Sequence, residues 1–399
     1  MLERVMSLAG IAAIVGFCAL ASRDRARISW PLVAWGLGLQ ALLGAVLLLT
    51  PGKPALFRAV AVFIQKIEYF ADYGAAFLFG DLAAKSYLML DIASVIIFVS
   101  AVMSILYYLR VIPLFVFLFA RLMQWSLRVS GAESLASALF VVMGIEGVTG
   151  LKQYIKDMTE SELFTVMVGF MATIAGTVMV IYVNAFGASA GHILTASLMS
   201  APAAIMVSKM LAPETGAPRT AGAVQWNALA PGDGNIVEAA SNGAIDGVKL
   251  AAFIGAMLLA FIAIIHMADL ALGLAGTSFR ELAGYAFAPV AFLLGVPWRD
   301  CPEVGRLLGV KVVFNEFLAY MDLSGLAQQG AISARAQMIA TYALCSFANF
   351  GSLGILIGGI GGLAPERKKD VARLGLKALL AGMLAGFLTA AVAGLLTAH

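Results

Sequence analysis

Charge is scarce in this sequence. Only 12% of its 399 residues are Asp, Glu, Lys or Arg, about half the share found in a soluble globular domain. Histidine and cysteine are scarcer still, at three each. Cys18, Cys301 and Cys345 stand in unrelated segments without metal-ligand spacing, which argues against a disulfide framework or a zinc site. No nucleophile triad, metal motif or phosphate-binding loop is present, so nothing points to an enzyme or to a cofactor. The net charge of +3 is too small to indicate a nucleic-acid partner.

What is abundant is apolar surface. Hydrophobic residues make up 61% of the chain and the mean hydropathy is +0.94. No water-soluble core could hide that much, so lipid must take the place of water around it. A membrane span needs about 20 apolar residues. Spans are expected at 7–21, 28–50, 90–109, 163–186, 193–211, 248–272, 336–363 and 371–396. The first 21 residues resemble a signal peptide, but Glu3 sits beside Arg4 and no small-residue cleavage site precedes Arg23. They read as the first span. Segment 51–85 is apolar but interrupted by Lys53, Arg58, Lys66, Glu68, Asp72 and Asp81, which suits an interfacial helix. Segment 111–128 reads the same way. Segment 212–240, with Pro213, Pro218, Pro231 and several glycines, reads as a loop.

Basic residues cluster in three loops: Arg23, Arg25 and Arg27; Lys209 and Arg219; and Arg367, Lys368, Lys369 and Arg373. The positive-inside rule places these loops in the cytoplasm and both termini outside, which eight spans satisfy. Segments 131–156 and 296–327 are too polar for ordinary spans, and each precedes a strong pair. They read as re-entrant hairpins entering from opposite sides, two copies of one unit in inverted order, a mark of secondary transporters. The expected fold is therefore an all-α polytopic membrane protein with eight transmembrane helices, two re-entrant hairpins, an inverted repeat, and scaffold and transport domains. Its expected divisions are 1–130 for scaffold spans with interfacial helices, 131–212 for the first transport repeat, 213–295 for a loop and scaffold span, and 296–399 for the second transport repeat.

Three stretches carry chemistry. Glu146 lies in MGIEGVTG, where flanking glycines suggest a hairpin tip near a ligand, and an ionisable group at membrane depth usually has a function. The alternative is a solvated carboxylate in a cytoplasmic loop. Glu316 lies in VVFNEFLAY beside Asn315, a pairing that offers acceptors to a polyhydroxylated ligand. The alternative is an ion pair with Lys311. In TYALCSFANFGSLGILIGGIGG, Phe347, Asn349 and Ser352 interrupt a span and suggest an unwound, solute-binding helix, whereas Gly358–Gly362 read as a helix-packing face. Thr173, Gly176 and Thr177 mark a matching break in the first copy. His266 and Asp269 read as an interfacial pair.

The run GVPWRDCPEVGRLLGVKVVFNEFLAYMDL, followed by TYALCSFANFGSLGILIGGIGG, resembles the concentrative nucleoside transporter family, in its bacterial form. The likeness extends over most of 131–396; before that it is one of hydropathy alone. It implies a homotrimer in the cell inner membrane that symports nucleosides with an ion. In the family pattern Glu316, Asn349 and Ser352 bind ribose hydroxyls and Phe347 lies by the base. The first hairpin of the family offers a Gln and a hydroxyl residue to the base, positions held here by Gly144 and Ile145. Sodium-coupled members carry an Asn seven residues before the first hairpin Glu, where this chain has Leu139; Thr177 matches a hydroxyl ligand in the next span. These departures lead to the expectation of weak base selectivity and of proton rather than sodium coupling, with Glu146 as the protonatable group. Sodium coupling, another ribosylated solute and a non-transporting gate-like membrane protein are the alternatives.

Overall fold

Among the described residues the chain forms helices and no strand. The computed structural model describes residues 1–85, 87–220, 226–230, 232–274 and 276–397. The first helices are α1 (Leu2–Leu20) and α2 (Trp30–Leu49). Ser29 caps α2 by accepting the Leu32 N–H, and Pro31 sits in the first turn where no amide donor is required. They are followed by α3 (Lys53–Phe79), α4 (Leu88–Tyr108) and α5 (Val111–Leu127).

The first hairpin consists of α6 (Gly131–Met143), a 3₁₀ tip over Gly144–Leu151 and the single turn α7 (Lys152–Ile155). Both ends of this hairpin meet the same loop: Gly131 N–H donates to Thr220 O at 2.9 Å, and Asp157 pairs with Arg219 at 2.8 Å. The chain continues through α8 (Glu160–Ala172), α9 (Gly176–Phe186), α10 (Ala190–Leu211), the long α11 (Ile236–Gly273) and α12 (Phe279–Leu293). The second hairpin is α13 (Cys301–Val313) and α14 (Glu316–Gln328), closed at its base by Ser333 Oγ donating to Asp300 Oδ2 at 2.5 Å. Last come α15 (Ala334–Leu344), α16 (Phe350–Leu363) and α17 (Lys368–Leu396).

The hairpins enter from opposite ends of the molecule. At one end Arg23 and Arg373 both bind Glu160, and Arg367 donates to the Met158 carbonyl at 2.8 Å. The basic loops therefore converge beside the base of the first hairpin. At the other end Arg4 and Arg335 each donate to Thr397 O at 3.1 Å, next to the base of the second hairpin. α4 packs along α11 and α10 along α17.

Among the described residues, eight helices or helical stretches are long and apolar enough to cross a membrane. The number equals the expected count, but the membership differs. Segment 336–363 is broken into α15 and α16, each too short alone, whereas Gly131–Ile155 is apolar enough but turns back on itself. α1 and α2 lie against α10 and α17. The expected loop 212–240 is also cut short. Asn235 accepts the Val237 and Glu238 N–H groups and starts α11 before the apolar run begins. Pro231 lies outside the described residues.

Candidate functional site

Two long apolar helices are interrupted near the middle of the molecule, and the interruptions meet. Between α8 and α9 the chain leaves helical geometry at Thr173, and between α15 and α16 it does so from Cys345 to Asn349. Phe347 N–H donates to Thr173 O at 3.2 Å, so one break satisfies the other. Unwound backbone in an apolar interior is tolerable only where its polar groups find such partners or line a wet cavity.

The half-helices that resume after the breaks point their N-termini at one cavity, with an empty volume of ≈ 700 Å³, part of it open to solvent. Thr177 stands in the first turn of α9, Glu316 opens α14, and Asn349 and Ser352 open α16; all four line the cavity. Two of these starts are capped by local sequence. Asn315 Oδ1 accepts the Leu318 N–H at 2.9 Å, and Asn349 Oδ1 accepts the Ser352 N–H at 2.8 Å. Losing such a cap typically costs about 1 kcal/mol.

Glu316 is 6% exposed and is held by two neutral donors. Tyr182 Oη donates to Oε1 at 2.9 Å and Asn349 Nδ2 to Oε2 at 2.6 Å. The ion pair with Lys311 does not form, because the ammonium is directed to Ser346 Oγ and the Ala343 carbonyl. Phe347 stacks on Phe170, with centroids 5.4 Å apart and planes at 29°, and both rings line the cavity. Phe253 and Met257 of α11 supply an apolar wall facing these groups. A flat ligand with a hydroxylated end fits the arrangement: an aromatic slot at one side, a carboxylate and an amide at the other.

From the first hairpin, Ile145 and Glu146 reach the cavity and Gly144 does not. Gly144 has φ +65°, and a Cβ built there would lie 2.7 Å from Ala175 Cβ. It shapes the tip and offers nothing to a ligand. Ile145 packs against α16, its Cδ1 3.1 Å from where a Cβ on Gly359 would be. This accounts for Gly359 as a packing position, whereas Gly358 and Gly362 face no neighbour. Glu146 has no ion-pair partner among the described residues. Leu139 is 1% exposed and packs over Gly147 and Gly150, at 3.0 and 3.1 Å from their would-be Cβ atoms. His266 and Asp269 are not a pair: Asp269 Oδ1 accepts the Phe279 N–H at 2.7 Å and joins α11 to α12.

Tyr182 and Phe170 carry no motif in the sequence that would mark them as site residues. Tyr182 is fully buried in an apolar run. A buried tyrosine needs a hydrogen-bond partner, and that was its sole signal.

Residues 192–394 match the family described as "Na+ dependent nucleoside transporter C-terminus", 9–82 its N-terminus counterpart, and 89–189 a "Nucleoside recognition" family. The structure of CNTnw in an inward-facing substrate-bound state is 35% identical, with a TM-score of 0.94 and 100% of both chains covered. The chain belongs to the concentrative nucleoside transporter family. Members of the family are transporters and not enzymes, and the all-helical fold is that of CNTnw. Sodium/nucleoside cotransporter 1 of Rattus norvegicus is 38% identical over 99% of this chain, and solute carrier family 28 member 3 of Homo sapiens 37% over 99%. The chain spans 64% and 60% of the length of these two relatives.

The conformation of Gly144 bears on any attempt to place polar side chains at the tip of the first hairpin. Gly144→Gln is expected to lower the unfolding temperature, because a side chain at positive φ and against Ala175 strains the tip by about 1–3 kcal/mol. Ile145→Thr, which places a hydroxyl at the cavity, is expected to fold normally and to sharpen discrimination between nucleosides. Thermal unfolding and competition binding of the two variants check both statements. A stable Gly144→Gln protein with improved base selectivity would contradict them.

Proposed function

We propose that this protein carries nucleosides across the cell membrane by cation-coupled symport. The observation that carries the reading is the Glu316–Asn349–Ser352 constellation at two half-helix N-termini, facing the Phe347–Phe170 stack. Carboxylate and amide accept and donate to ribose hydroxyls, and the aromatic pair receives a base. Ser352 adds a hydroxyl at the same edge. A gate-like protein without transport would have no use for this set at the bottom of a cavity.

Two readings of the coupling cation have support. The matched family models and the rat cotransporter carry sodium in their names. A proton is favoured by Leu139, whose side chain occupies the packing space under the first hairpin tip and supplies no oxygen ligand. Thr177 would then remain a lone side-chain hydroxyl, and Glu146 the group that takes up the proton. Uptake of labelled nucleosides into proteoliposomes, driven by a sodium gradient at constant pH or by a pH gradient in choline, tests function and ion together. No saturable uptake under either gradient would refute the reading.

The inverted repeat supports a two-part machine. The hairpins, broken helices, α10 and α17 would move as a transport unit, with α1 and α2 attached to it by packing, against a scaffold that includes α4 and α11. A homotrimer in the inner membrane is proposed by family likeness. The convergence of basic loops beside Glu160 supports a cytoplasmic location for that end. A cysteine placed at Lys368 is then expected to react only with reagent applied from the cytoplasmic side, and one placed at Leu2 only from outside. The reverse pattern would invert both hairpins.

A further inference from the structure

Lys311 is buried to 0% exposure in the last turn of α13. Its ammonium donates to Ser346 Oγ at 2.6 Å and to Ala343 O at 3.3 Å, and stands 5.7 Å from the centre of the Phe387 ring. Among the described residues no carboxylate oxygen lies within 4.0 Å of it. A buried ammonium with neutral partners alone is costly, so its placement calls for a reason.

The reason lies in the helix ends. Lys311 belongs to the C-terminal turn of α13 and bonds the C-terminal end of α15. Such ends carry partial negative charge from unpaired carbonyls. In transporters built from broken helices, C-terminal half-helix ends hold the coupling cation while N-terminal ends face the solute. In the second repeat a lysine occupies that place. In the first repeat the corresponding ends belong to α6 and α8, neither of which contains lysine or arginine. Two carboxylates, Glu146 and Glu316, line the cavity, and no cationic side chain does. With Lys311 behind Glu316, the two cavity carboxylates and this one ammonium together carry one net negative charge when all three are ionised.

We propose that Lys311 is a resident counter-cation, a tethered ammonium in the cation position of the second repeat, so that the transport core takes up one mobile cation per nucleoside and not two. This rests on the symport reading above. It makes Lys311 a positioning residue, since it reaches the break at Ser346, next to Phe347, without touching the cavity.

The test uses purified full-length protein and radiolabelled uridine binding, with a sodium series at fixed pH and a pH series at fixed sodium. For the parent, the logarithm of affinity against the logarithm of the driving cation's concentration should rise with a limiting slope of about 1, the number of coupled cations. Lys311→Arg should keep that slope. Lys311→Met should bind more weakly at low cation and steepen to about 2, because a second cation must balance Glu316. A Lys311→Met protein with the parental slope overturns the proposal. Thermal unfolding supplies a second arm that needs no transport. Lys311→Met should lower the unfolding temperature, and the double variant Lys311→Met/Glu316→Gln should recover it, since no unbalanced buried charge remains. A double variant no more stable than Lys311→Met also overturns the proposal. If the parent binds no uridine at any cation concentration, the symport reading fails, and the unfolding comparison still decides the role of Lys311.

Discussion

Glu316→Ala is expected to abolish saturable nucleoside uptake while the protein still inserts in the membrane. The carboxylate lines the cavity, and both of its oxygens already accept hydrogen bonds, from Tyr182 and Asn349. A ribose must exchange for or add to these donors. Hydrogen bonds to a charged group contribute about 1.5–3 kcal/mol each, so two lost bonds weaken binding by roughly 10²–10⁴-fold. The truncation also leaves the Asn349 amide and the Tyr182 hydroxyl without their acceptor. Asn349 keeps its cap bond to Ser352, so α16 should still start where it does. Glu316→Gln keeps volume and one acceptor and should retain measurable binding. The pair of variants separates charge from shape. Uptake by Glu316→Ala in proteoliposomes at the parental rate would remove the ribose assignment altogether.

Glu146→Gln is expected to end uphill accumulation while leaving exchange of nucleoside for nucleoside intact. Glu146 reaches the cavity from the opposite hairpin and has no cationic partner among the described residues. Moving an uncompensated carboxylate through a membrane interior is costly, and a cation taken up with the solute removes that cost. Binding of ion and solute is then reciprocal. Without the carboxylate the loaded and empty states differ less in charge, and the gradient has nothing to act on. Should the driving ion be a proton, the parent's uptake rises as external pH falls, a protonophore collapses it, and choline replaces sodium without effect. Should it be sodium, accumulation follows the sodium gradient at constant pH and survives the protonophore. Leu139→Asn, which puts an amide oxygen under the hairpin tip, should raise the sodium sensitivity in either case. A Glu146→Gln protein that concentrates uridine as the parent does would show that the coupling charge lies elsewhere.

Much of the architecture was legible because it depends on local pattern. The apolar excess required lipid, and the basic loops sorted the ends of the helices. Ser130 with Glu133 and Thr159 with Glu162 form the capping boxes that start α6 and α8, a signal written within four residues. The breaks at Thr173 and at Asn349 were visible as small and polar residues inside apolar runs. The Asn-Glu and Phe-Ala-Asn-Phe motifs marked the groups that line the cavity. What local pattern could not give were partners far away in the chain. Tyr182 meets Glu316 across 134 residues, and Lys311 meets Ser346 across 35. Helical periodicity says nothing about which break crosses which. Nor could it exclude Gly144 from the cavity, since that follows from a positive φ and the approach of Ala175. The alternative ion pair of Glu316 with Lys311 failed for the same reason: Phe314 and Asn315 interrupt the helix between them, so the two side chains are sent to different helix ends. Sequence alone determined that this chain lives in a membrane, where its helices break and which polar groups they carry. Tertiary structure decided which of those groups face one another, because in a lipid-surrounded bundle the pairing of buried polar groups is fixed by how the two repeats pack together.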